Sequence, residues 1–168
     1  MTTPADWQGF AGMTGTASGA LTGLLFVSVS LNARRIAEHR GLRASAAQTL
    51  VLFVIPLIAA AFLLAPGQPD GVVGGELIGT GLAASWVLLS IARLKVGLAD
   101  EDRKLIAVFD SRAANVVVML LYVACGICLV CRADDGLYLL LPATLVAFVS
   151  GVLNAWRFLL PPSREEAR

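Results

Sequence analysis

Residues 9–32 read GFAGMTGTASGALTGLLFVSVSLN, an uncharged run that closes at Arg34 and Arg35. At about 1.5 Å rise per residue, a helix of this length crosses a hydrocarbon core of roughly 30 Å. Within it, Ala11, Gly15, Gly19 and Gly23 recur at every fourth position. Four residues turn a helix through about 400°, so these four lie along one ridge. In lipid an apolar side chain gains nothing by leaving water, and small residues that admit a close neighbour become the means by which helices hold together. The stretch reads as a membrane-spanning helix with a contact ridge on one side.

The rest of the chain is of the same kind. Of its 168 residues, 57% are apolar and 15% charged, against about 25% charged in a soluble domain, and the mean hydropathy is +0.77. Apolar runs predict five transmembrane helices at about 10–31, 46–65, 74–92, 112–131 and 137–160. The segments between them are too short to bury a core. Residues 1–168 therefore read as a single membrane domain, an all-α integral membrane bundle. The opening MTTPADWQ has no basic n-region, which favours an uncleaved first helix.

Basic residues sort to one side of these spans. Arg34, Arg35, Arg40 and Arg43 follow the first; Arg93, Lys95, Arg103, Lys104 and Arg112 lie between the third and fourth; Arg157, Arg164 and Arg168 close the chain. Only Arg132 falls opposite. The positive-inside rule predicts an N-terminus outside and a C-terminus in the cytoplasm, in a multi-pass protein of the plasma (inner) membrane. Arg34, Arg35, Arg93 and Arg157 are placed to reach anionic lipid headgroups.

Small-residue ridges recur at Gly71, Gly75, Gly79 and Ala83 in the third span, and at Ala143, Ala147, Gly151 and Ala155 in the fifth. The expectation is that spans one, three and five pack closely at the centre, with spans two and four facing lipid. The plainer alternative is that Gly and Ala are common in membrane helices. Pro56 in the second span removes the amide that would bond the Leu52 carbonyl, which predicts a kink. Residues 65–71, with Pro66, Gly67, Pro69 and Gly71, predict a tight turn.

Polar residues inside the spans are few. Thr14, Ser18 and Thr22 form a hydroxyl stripe, and Ser28, Asn32, Ser150 and Asn154 cluster near the basic ends. They suit either a pore with a polar mouth or hydrogen bonding between helices. Glu76 is the carboxylate nearest to an intramembrane position, a functional candidate on that ground and an interfacial residue otherwise. Cys125, Cys128 and Cys131 step around a helix instead of converging, and read as filler before metal ligands or reactive thiols. Asp100, Glu101 and Asp102 read as the charged start of a helix, since Arg103 and Lys104 neutralise them. No paired carboxylates, metal-binding helix motif or phosphate loop accompanies them. The reading is a non-catalytic protein with no cofactor or metal and no nucleic-acid partner, which touches the lipid bilayer and itself or another membrane protein. A homo-oligomeric channel or small-solute transporter is the alternative.

Residues 26–35, FVSVSLNARR, match residues 148–157, FVSGVLNAWR, at seven of ten positions. Duplication and chance matching in an apolar background both account for this, and the small ridges of the two segments are out of register.

The run GTASGALTGLLFVSVSLNARRI, followed by QTLVLFVIPLIAAAFLLAPGQP, resembles a set of small actinobacterial polytopic membrane proteins. In that set a GLLFVxxSxN segment precedes a basic loop, and an apolar helix ends in PGQ. Its members often carry the label "modulator of FtsH protease". The likeness covers residues 10–70 or so and carries over no catalytic or binding residue. It implies an accessory protein acting on a membrane protease.

Overall fold

The computed structural model describes residues 4–95, 112–133 and 135–156. These fold as helices, with no strand among the described residues. A 3-10 turn, Pro4–Trp7, leads into α1 (Gln8–Leu31), followed by the short α2 (Ala33–Glu38), α3 (Arg40–Leu64), α4 (Asp70–Lys95), α5 (Arg112–Val130), a second 3-10 turn, Gly136–Leu139, and α6 (Leu140–Trp156). Four helical segments are long and apolar enough to cross a membrane: Gln8–Leu31, Arg40–Leu64, Asp70–Arg93 and Gly136–Trp156. Ala114–Val130 is a shorter apolar helix. The chain is thus a membrane-embedded helical bundle by length and composition, with its outer apolar faces suited to lipid.

The arrangement differs from the one expected. Helices α3, α4, α5 and α6 close into a ring, each packing against the next, and α1 lies against the outside of α3 with little contact to α6. The second span is therefore central and not peripheral. Half of its most apolar window is buried, against 17% for α1. Two features of α3 account for this. Leu52, Ile55, Ala59, Ala60 and Leu63 are buried toward the main core, while Phe53 joins a second cluster with Leu25 and Ile36. Bulky and small residues thus alternate around α3, and it meets neighbours on several sides. Pro56 is buried within α3, with the rest of the helix continuous on either side. Neighbouring helices in a bundle tolerate the missing amide bond.

The third-span ridge is corrected more sharply. Gly75, Gly79 and Ala83 are exposed, and a Cβ added at either glycine would meet nothing within 4 Å. The buried face of α4 is instead Val73, Gly74, Leu77, Gly81, Ala84 and Leu88. Its glycines receive α5: a Cβ on Gly74 would lie 2.7 Å from the Gly126 carbonyl oxygen, and one on Gly81 2.7 Å from Val123 Cγ2. Gly126 in turn sits against Gly74 and Ile78, so two backbones touch where neither residue has a side chain.

The ends of the helices follow local chemistry. Gly67 takes φ +73°, open to a residue without Cβ, and turns the chain between α3 and α4. Gly71 lies inside α4 and not in that turn. After α5, Ala133 N–H donates to the Cys128 carbonyl (2.9 Å) and Arg132 N–H to that of Leu129 (3.1 Å). This is a Schellman closure with Arg132 at φ +53°. A left-handed residue with a Cβ costs about 1–2 kcal/mol, so Arg132→Gly is expected to stabilise the fold by about 1 kcal/mol, measured as a raised unfolding midpoint in micelles. Trp7 fixes the start of the chain through edge-on ring contacts with Phe10 (5.3 Å) and Tyr138 (5.1 Å).

Candidate functional site

The residues read from sequence as helix contacts fall into two groups. Ala11 and Ala147 are fully buried, and Gly151 is buried against the ring of Phe53. Gly15 stands 3.4 Å, by its added Cβ, from Ala60 Cβ. Ala155 packs on the cluster of Leu25, Ile36 and Phe53. These five serve packing within the chain. Gly19 and Gly23 on α1, with Gly75, Gly79 and Ala83 on α4, face outward. A Cβ on any of those four glycines would enter open space. The outward part of the α1 ridge is broadened by Thr16 and Ala20, also exposed. Thr16 Oγ1 donates to the Gly12 carbonyl at 2.9 Å, which hides its polarity within the helix. The result is a low, nearly apolar face on each of two helices.

The candidate pore residues point the other way. Thr14 and Ser18 are 4% and 0% exposed, inside the chain and not on a surface that copies would share. Thr22 is half-buried with its oxygen sealed off. Ser28 and Asn32 are half-buried, and Asn32 Nδ2 donates to the Ser28 carbonyl at 3.0 Å, closing its own helix end. Ser150 and Asn154 are buried. Asn32 and Asn154, equivalent in the sequence match, thus occupy different environments.

Sequence reading missed Ser45, Gln48 and Thr49 on α3, Thr144 on α6 and Tyr122 on α5, all buried. Among the described residues, every buried Ser, Thr, Asn and Gln side chain belongs to α1, α3 or α6. A signal was present: Ser45, Gln48 and Thr49 share a helix face by their spacing, as do Thr144, Ala147, Gly151 and Asn154. Thr49 Oγ1 donates to the Ser45 carbonyl at 2.9 Å.

The remaining candidates are quickly placed. Arg34 and Arg93 are exposed, and Arg34 Nε lies 3.4 Å from Glu38 Oε1 across one turn of α2. With both side chains so exposed, that pair adds little. Arg35 is half-buried, and Arg157 and residues 100–102 lie outside the described residues. Glu76 is half-buried and accepts a bond from Gln68 Nε2 at 3.3 Å, which ties the start of α4 to the preceding turn. The three cysteines are free thiols: Cys125 buried, Cys128 half-buried, Cys131 exposed. They diverge around α5. Among the described residues, no three His, Cys, Asp or Glu side chains come together to hold a metal.

No protein family, curated protein or solved structure matches this chain. Among the described helices, α1 and α4 each carry outward glycines, Gly19 and Gly23 on α1 and Gly75 and Gly79 on α4, with open space where a Cβ would stand.

Proposed function

We propose that this is a non-catalytic, multi-pass protein of the plasma membrane that works by helix–helix contact, on another membrane protein or on a second copy of itself. In this reading α1, α3, α4, α5 and α6 cross the bilayer, with the N-terminus outside and the C-terminus in the cytoplasm, following the charge bias of the connections. The observation that carries the proposal is the outward ridge of α1. Gly19 and Gly23 stand on a helix that its own chain covers over only 17% of its apolar window. A helix facing only lipid has no use for such a surface, since bulky side chains fill acyl space equally well. A neighbouring helix does, because van der Waals contact between backbones is what small residues permit. Gly75, Gly79 and Ala83 offer a second such face on α4. The resemblance to proteins labelled modulators of a membrane protease agrees with an accessory role and names one class of partner.

Gly19→Leu and Gly75→Leu are the test. Each is compared with wild type in co-purification from native membranes, and in energy transfer between labelled copies in vesicles. The proposal expects at least one variant to lose an association several-fold while the unfolding midpoint does not fall, because a Cβ at either position enters open space. Associations that persist undiminished in both variants overturn it.

A further inference from the structure

Helical hydroxyls in this chain divide into two groups. Thr16, Thr49, Thr80, Ser85 and Ser90 each donate to the carbonyl four residues back, at 2.8–2.9 Å. That is how a helical hydroxyl satisfies itself where water is excluded. Thr14 does not, although it is 4% exposed and its Oγ1 is sealed from the surface without a partner. It lines a small, partly open cavity of about 10 Å³ between α1, α3, α5 and α6. Tyr122 of α5 and Thr144 of α6, two further hydroxyl-bearing residues, line the same cavity. Tyr122 is 0% exposed, and its hydroxyl faces Thr144 without a hydrogen bond of ordinary geometry. The remaining wall is apolar and includes Pro56 and Ala60 of α3.

We propose that this cavity is a binding site for one water molecule, held by the hydroxyls of Thr14, Tyr122 and Thr144, which joins α1, α5 and α6 across the proline of α3. Size fits the ligand: a space of about 10 Å³ has room for about one water. Unmet hydroxyls favour it. A buried water needs two to four polar partners, and three hydroxyls, each able to donate and accept, supply them. The site also gives α1 a second attachment, since that helix otherwise meets the ring mainly through α3.

The experiment uses the full chain in micelles or bilayers. Tyr122→Phe and Thr14→Val each remove one hydroxyl with little change of shape. A bound water predicts a lower unfolding midpoint for each variant, and a double variant that loses less than the sum, because both hydroxyls share the one water. A dry cavity predicts unchanged or raised midpoints, since removing an unmet buried hydroxyl relieves its desolvation, and that result overturns the proposal. The second readout is radiolytic hydroxyl-radical labelling, in which a trapped water generates the oxidant in place. Tyr122 is expected to be oxidised several-fold faster than Phe53 once each is normalised to its intrinsic reactivity. Phe53 is 2% exposed and lies away from this cavity. The Tyr122 rate should fall several-fold in Thr14→Val. Equal normalised rates at Tyr122 and Phe53 overturn the site whatever the variants do to stability.

Discussion

Gly74→Ala is expected to destabilise the fold and Gly75→Ala to cost nothing, although the two residues are neighbours in one helix. A methyl group on Gly74 would sit 2.7 Å from the Gly126 carbonyl oxygen and 3.0 Å from both Leu129 Cβ and Val130 Cγ2. The first of these is backbone, so no rotamer change relieves it, and α4 and α5 must separate. Overpacking of this kind costs about 1–3 kcal/mol. The upper end applies here, because separation also loosens the contacts at Gly81 and Gly126 along the same seam. Gly75→Ala meets nothing and removes a flexible residue from a helix interior. It is expected to be neutral, or to stabilise by up to about 0.5–1 kcal/mol. Equilibrium unfolding in mixed micelles measures both. Equal effects from the two substitutions would mean that α4 presents a different face to α5.

Gly151→Ala carries the other large effect. Its methyl group would press on the ring of Phe53, with Cζ at 2.9 Å and Cδ1 at 3.0 Å. Phe53 is 2% exposed and shares a cluster with Leu25 and Ile36, against which Phe148 and Ala155 pack, so moving the ring disturbs a packed set. A loss of about 2 kcal/mol is expected. Because the clash is with one side chain, shrinking that side chain should relieve it. Phe53→Leu alone leaves a void and costs about 1 kcal/mol, yet combined with Gly151→Ala the total should fall well below the sum of the two. Double-mutant analysis of unfolding reads that coupling. Strict additivity would show that α3 and α6 do not meet at this point.

The helical segments were legible before any tertiary information. The first span, 10–31 by sequence, is Gln8–Leu31, and the fourth, 112–131, is Arg112–Val130. Charged residues and turn formers mark those ends, and both signals are local. Hydropathy places the start of the second span at residue 46, but α3 starts at Arg40, because its first turns are polar and carry no hydropathy signal. The short α2 was missed for the same reason: six residues holding one buried side chain, Ile36, leave no pattern.

The inward faces were not legible, and the cause is the solvent. In water, a helix separates apolar from polar residues, and the apolar side is the buried one. In lipid both sides are apolar. Leu77 is 0% exposed and Leu82 58%, and nothing in their chemistry distinguishes them. Gly74 and Gly75 differ only in what lies opposite. Ridge spacing is readable in sequence, while which ridges meet a neighbour within the chain is decided by the register of α4 against α5 and of α3 against α6. The polar seam was half visible for a related reason: hydroxyls are readable in sequence, but whether one turns back to its own helix or toward a shared cavity depends on the helices around it. Sequence alone determined that this chain is helical, apolar and segmented for a bilayer, because those properties follow from each residue's own transfer energy and local backbone preference. Tertiary structure alone decided that α3 is the centre and that α1 stands at the edge with Gly19 and Gly23 outward, because packing in lipid is settled by shape between surfaces of equal polarity.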